Sequence, residues 1–505
     1  MCIVELTNDL GDYRMSESTM AATADRRRWL GLAVLVAAQF MVVLDIAIVN
    51  VALPTIKTDL HFSQESLQWV ITAYSILFGG VLLLGGRMAD LLGRRRMFML
   101  GLTLFTVSSL LDGLAWSEGS LIAFRSLQGL GAALLAPAAL SILTTTFSEG
   151  RERNLALGIW GAVSGSGAAA GVLLGGLLTS ALNWSWIFYV NVPVGALVLG
   201  LSPWLLRESR AQLNHRHFDA AGAASITGGL MVLVYGLTHA SQHGWATAQT
   251  VGYLAAAAAL IAAFVAVEAR SPAPLLPLRI FRLRTLSGSN IAALFSGAAI
   301  FSQFFLLTLY MQQVLHYSAL QTGAAYITFT LAIIVFSGVA QAVVTRVGIR
   351  PVLPAGLALA TVGLVVYTRL PVHGHYFWDL FPAFLIGGIG MAFAFVPMSI
   401  GALAGVDQGD AGVASGLLNT SQQIGGAIGV AVATTIATTY TAHYANAHGL
   451  GTLAPAALTH GFEIAFYALA GISLLAAVLS ALVIERRPAE PADVTGLVPA
   501  LEEAA

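Results

Sequence analysis

Runs of about twenty mostly apolar residues, the length a helix needs to cross the hydrocarbon of a bilayer, recur along nearly the whole chain after a polar N-terminal stretch. In lipid each backbone N–H and C=O must find its partner within the protein, so such runs fold as helices rather than as irregular chain. The composition agrees: 57% of the 505 residues are apolar and 10% are charged, where a soluble domain carries roughly a quarter charged. A net charge of −1 provides no basic field for nucleic acid. The single lysine, Lys57, follows Ile56 with no glycine nearby, which excludes a P-loop grip on nucleotide phosphates. One cysteine, Cys2, excludes an intrachain disulfide and a thiolate-rich metal site.

The pattern predicts fourteen membrane spans, at 30–53, 67–85, 97–115, 119–143, 155–180, 186–206, 220–239, 249–268, 287–310, 323–344, 351–370, 379–402, 412–437 and 461–484. Lys and Arg collect in cytoplasmic loops. With the N-terminus inside, 21 of the 24 basic residues fall on inner segments, among them Arg94, Arg95, Arg96, Arg216 and Arg487. Miscounting by one span would put the later arginine clusters on the wrong side, so this asymmetry favours fourteen spans with both termini cytoplasmic. The first run is too long for a signal-peptide core and contains Asp45, which argues against cleavage. The loop Gly86–Arg96 matches the loop Gln341–Arg350 weakly in register, Asp90 aligning with Thr345 across eight spans. That spacing fits two related six-helix halves with an inserted pair, a plan that places a transport site between the halves. The expected divisions are an inner tail at 1–29, a first bundle at 30–206, an inserted pair with its loops at 207–286, a second bundle at 287–484 and an inner tail at 485–505.

Asp45 is the one carboxylate expected well inside a span, and a charge there costs about 2.5–3.5 kcal/mol on insertion scales, which marks it as functional. Proton carriage fits, because desolvation and a neighbouring cation shift an acid's proton affinity in opposite directions. Arg125 is the one basic residue inside a span, and the helix rise puts it about as deep as Asp45, roughly 9–13 Å below the outer end. Gln128 and Gly129 share its helix face. Asp90, flanked by Gly86 and Gly93 and followed by Arg94, is expected to latch the cytoplasmic side. The fifth span carries Gly158, Gly161, Gly165, Gly167, Gly171, Gly175 and Gly176, spaced for close helix packing, for a hinge, or for both. Asn50, Tyr74, Gln128, Gln303, Asn419 and Gln423 are polar span residues suited to lining a substrate cavity or to bonding neighbouring helices. His239 and His243 lack an acidic third ligand, so no metal site is expected, and Thr438–His460 reads as an interfacial outer loop. No span pairs a Ser or Cys nucleophile with a buried base, which argues against an enzyme.

These motifs resemble the major facilitator superfamily, and within it the fourteen-span drug:proton antiporters of the EmrB/QacA type, over roughly residues 30–485. Leu44-Asp45…Asn50…Pro54 is similar to the first-span motif of that group, whose Asp is implicated in proton coupling. Gly86…Asp90…Gly93-Arg94 resembles the family's gating motif, and Arg125…Gln128-Gly129 its fourth-span proton-transfer motif. Gly158…Gly167…Gly171-Val172…Gly175-Gly176 looks like the antiporter signature, with Val172 where the pattern has proline. Trp184–Pro193 and Phe218-Asp219 are also similar to the fourteen-span group. The resemblance implies an all-α major facilitator fold and export of amphipathic drugs or antibiotics by alternating access. It implies protons as the coupling ion, no cofactor beyond the proton gradient, and a bilayer setting in which a monomer suffices. Uptake or export of a specific metabolite, or a receptor without transport, are the alternative readings. The preference for Arg over Lys, with abundant Ala and Gly, points to a high-GC bacterium and to a plasma-membrane protein.

Overall fold

In the computed structural model the described residues are 2–62, 66–67, 69–148, 150–210, 219–271 and 274–485, with side chains described from residue 26 onward apart from a few positions. Arg216, Phe218, Arg487 and nearly all of the expected 485–505 tail lie outside them. Among the described residues the chain is helical, without strands. The first half comprises α1 (Cys2–Asp59), α2 (Trp69–Leu92), α3 (Arg94–Gly113), α4 (Glu118–Thr146), α5 (Arg151–Ala181), α6 (Trp186–Tyr189) and α7 (Asn191–Leu205). A hairpin follows, α8 (Ala220–His243) and α9 (Ala248–Glu268). The second half comprises α10 (Arg284–Leu309), α11 (Ala319–Ala325), α12 (Ile327–Val347), α13 (Ile349–Tyr367), α14 (Phe381–Ala402), α15 (Ala411–His448) and α16 (Pro455–Val483).

Helix covers each predicted span, and twelve of these segments are long and apolar enough to cross a membrane, which makes this a multi-pass membrane protein. The two outside that set are α3 and α5. Three arginines open α3 and Asp112 sits near its end, diluting its hydropathy. In α5 the described apolar stretch is the shorter Ala170–Ala181. Two local expectations change. Helix begins at Cys2, well before the first span, and α15 continues to His448, so the first part of the expected outer loop is helix. With a run of Ala and Thr and no Pro or Gly between Gly429 and Gly449, which takes the left-handed conformation that ends the helix, nothing interrupts this last part of α15.

Packing follows the small residues. A Cβ on Gly167 would lie 2.8 Å from the Val43 side chain, one on Gly171 2.6 Å from the Leu44 carbonyl, and one on Gly175 2.9 Å from the Ile48 carbonyl. This stripe lets α5 lie directly on α1 around Asp45, as small-residue interfaces do in lipid. On the earlier part of α5, Gly158 faces Gln341 of α12 and Gly161 faces Val396 of α14. Gly176 is also buried. The α8–α9 hairpin packs on α2 and α15.

Candidate functional site

Two polar clusters stand out, one deep in the first helical half and one where the two halves meet. In the first, α4 begins at a Ser117–Ser120 capping box, which fixes the helix start about two turns before Arg125. Arg125 is 1% exposed and Asp45 is 0% exposed. One terminal guanidinium nitrogen of Arg125 donates to Asp45 Oδ2 at 2.7 Å, and Nε donates to the Val70 carbonyl at 3.2 Å. Arg125 also donates to Gln128 Oε1. Gln128 Nε2 and Asn191 Nδ2 each donate to Asp45 Oδ1 at 3.0 Å. Asn191 is held in turn by Ser109 Oγ at 3.1 Å, and Ser109 donates to the Phe188 carbonyl at 2.9 Å. The Tyr74 ring lies beneath the guanidinium, 4.3 Å from Arg125 Cζ to the ring centroid. Asp45 thus accepts hydrogen bonds from three side chains on two other helices. Removing one member of such a buried pair typically costs about 3–5 kcal/mol, because the other charge is left uncompensated.

The second cluster is built around Asp90, 0% exposed at the end of α2. Asp90 Oδ1 accepts from Arg94 Nε at 3.1 Å and from its terminal nitrogen at 2.8 Å. The same carboxylate crosses to the start of α15, accepting from the backbone N–H of Gly412 at 3.2 Å and of Val413 at 3.1 Å. A helix N-terminus presents unpaired donors and partial positive charge, so an ionised Asp90 suits it. Gly86 and Gly412 permit the approach: a Cβ on either would run into the other's carbonyl oxygen. Gly93, at φ 115°, makes the turn into α3, a conformation that favours glycine. Around this core Arg87 lies 3.9 Å and Arg279 2.8 Å from Asp410, and Glu208 faces Arg95 and Arg96. The hydrogen bond to Asp410 pushes the Arg279 guanidinium further above its ordinary value.

Of the expected cavity residues, Tyr74 and Gln128 join the Asp45 cluster. Gln303 is buried on α10 with its amide nitrogen unpartnered. Asn419 and Gln423 are half-buried one turn apart on α15, the Asn419 amide donating within its own helix. Asn50 is exposed and bonds the Ile46 carbonyl of α1, away from the cluster. His239 donates to or accepts from Thr250 at 2.9 Å and stacks on His243, and among the described residues no three metal-type ligands gather.

The expectation of one deeply placed carboxylate needs correction. Asp112, next to last in α3, is 0% exposed and interacts electrostatically with Arg125 and Asp45. Its place near the end of a span made it resemble an interfacial residue; the acid inside the run Leu110–Leu114 was the available signal. Asn191 stands out in the sequence only as part of the Trp184–Pro193 motif, because its partners Asp45 and Ser109 lie 146 and 82 residues away.

A major facilitator superfamily model matches residues 35–430. The chain belongs to that superfamily. Among its relatives within the superfamily, the puromycin resistance protein pur8 of Streptomyces alboniger is 42% identical over 95% of this chain and 96% of its own. The cephamycin export protein CmcT of Amycolatopsis lactamdurans is 40% identical over 92% of this chain and 93% of its own. The fold matches that of the human organic anion transporter MFSD10 with a TM-score of 0.64, covering 90% of this chain and 99% of that one at 16% identity.

Proposed function

We propose that this major facilitator protein is a proton-coupled antiporter that exports an amphipathic antibiotic and so confers resistance. The observation that carries the reading is the buried Asp45–Arg125 pair, with Gln128 and Asn191 completing the carboxylate's hydrogen bonds. An acid that costly to bury is retained because its charge changes during the cycle. The relatives' resistance and export names support the direction of transport and the class of substrate. The fourteen-span EmrB/QacA-type plan is supported by helices over all fourteen predicted segments, with α3 and α5 as the remaining two spans. In this reading 30–206 and 287–484 are the two bundles, 207–286 carries the inserted pair, and the tails at 1–29 and 485–505 lie in the cytoplasm of a high-GC bacterium. Asp45 carries the proton and Arg125 sets its affinity. Gly86, Asp90, Gly93 and Arg94 latch the cytoplasmic side, while Gly167, Gly171, Gly175 and Gly176 hold α5 against α1. Tyr74, Gln128, Gln303, Asn419 and Gln423 border the substrate path, and a monomer carries out the cycle.

A drug-sensitive host expressing the chain tests the reading. Resistance to a subset of amphipathic antibiotics is expected, accompanied by efflux that stops when the proton gradient is dissipated. Unchanged sensitivity across puromycin, cephamycin and other antibiotic classes, with the protein present in the membrane, would overturn it.

A further inference from the structure

The Asp45 cluster contains two buried carboxylates for one guanidinium. Asp45 takes the ion pair and both side-chain amides, whereas neither oxygen of Asp112 has a hydrogen-bond partner. Both acids are 0% exposed. With Asp45 and Asp112 both ionised the cluster would carry a net negative charge in a buried site, which is less favourable than the neutral arrangement. The donors decide which acid keeps its charge: a carboxylate with three side-chain donors is stabilised as an anion, and one with none is not. The titratable and charged groups in electrostatic contact with Asp112 are Arg125 of α4, Asp45 of α1 and Tyr74 of α2, whose hydroxyl is likewise unpartnered. The residue next to Asp112, Gly113, accepts a hydrogen bond from the Tyr189 hydroxyl of α6 at 2.7 Å, so that phenol is already engaged. No second cation offsets the Asp112 charge among these groups.

We propose that Asp112 is a second proton-carrying acid of the coupling site, protonated while Asp45 is paired with Arg125 and donor of that proton when the pair opens. In the transfer the O–H bond of Asp112 breaks and one forms on an Asp45 carboxylate oxygen; the negative charge passes to Asp112, and Arg125 follows it. The total charge of the cluster is unchanged, so the step needs no other reactant. Placed one residue from the end of α3, Asp112 is the member of the pair nearer a helix terminus and so the entry acid of a two-step relay. This deepens the proton-antiport reading and rests on it.

The test separates protonation from transport. Infrared difference spectra of purified protein at neutral pH, wild type minus Asp112→Asn, are expected to carry the band of a protonated carboxyl group; wild type minus Asp45→Asn should carry carboxylate bands instead. Carboxylate bands in the Asp112 difference would overturn the proposal. In proteoliposomes Asp112→Asn should bind substrate like wild type but release protons on substrate addition at least tenfold more slowly, and Asp112→Glu should recover part of that rate. Wild-type proton release by Asp112→Asn would overturn the relay. If Asp112→Asn does not fold, Asp112→Glu serves in its place: a shifted protonated-carboxyl band supports the assignment and an unmoved one overturns it. Failure of the wild type itself to move protons would refute the antiport reading, while the spectra still decide the protonation of Asp112.

Discussion

Replacing Asp90 with Asn isolates the contact between the two halves. Asp90 accepts four hydrogen bonds, two from Arg94 and two from the backbone of α15. The Arg94 bonds join neighbouring elements of one half, whereas the two bonds to Gly412 and Val413 require α2 to lie against α15. A hydrogen bond to a charged group contributes about 1.5–3 kcal/mol and a neutral one about 0.5–1.5, so neutralising Asp90 costs about 1 kcal/mol for each of those two bonds. An Asn also turns its NH2 group toward one donor, which adds roughly 1 kcal/mol or more for an unsatisfied N–H. The latched state therefore loses about 3 kcal/mol, a shift of over a hundredfold in its population at 1.4 kcal/mol per tenfold. Thiol labelling reads this directly, using Ser415→Cys, a position buried behind the latch on α15, in a Cys2→Ser background. Labelling from the cytoplasmic side should accelerate strongly with Asp90→Asn, and efflux should fall while the protein remains in the membrane. Unchanged labelling together with wild-type efflux would refute the latch and leave this loop a topological role only.

The α1–α5 contact is tested by Gly171→Val: the added Cβ would lie 2.6 Å from the Leu44 carbonyl and 2.8 Å from the Ala47 side chain, so α5 must move away from Asp45. Such overpacking costs about 1–3 kcal/mol, and a lowered melting temperature with little remaining efflux is expected, against a wild-type melting curve if the glycine is incidental. The fourteen-span plan predicts that reporters fused after Arg96 and Arg487 read cytoplasmic while fusions at Gly244 and His448 read external. A cytoplasmic signal at His448 would contradict it.

The fold was legible because its controlling signals are local in sequence. Each apolar run declares its own helix, and the glycines of α5 announce a close contact, although not that α1 is the partner. Asp45 and Arg125 can be paired from the sequence, since an isolated charge at the same depth needs an opposite one. Asn191, Ser109 and Asp112 escaped because their value lies in partners on other helices. The Gly412–Val413 end of the latch escaped for the same reason: backbone N–H groups have no sequence signature, and only the approach of Gly86 to Gly412 brings them to Asp90. Asn50 and Asn419 stand out in the sequence as polar span residues, and in each the amide turns back to its own helix.

The central claim, that Asp45 carries the exchanged proton under the control of Arg125, is tested most directly by substrate-evoked proton release from everted vesicles holding equal amounts of each variant. Asp45→Asn keeps the shape of the side chain and removes its titration, so substrate should still bind while proton release stops. Arg125→Ala should also stop it, because the Asp45 carboxylate loses the cation at 2.7 Å that balances its charge. Proton release by Asp45→Asn at the wild-type rate would place the carrier elsewhere and contradict the account.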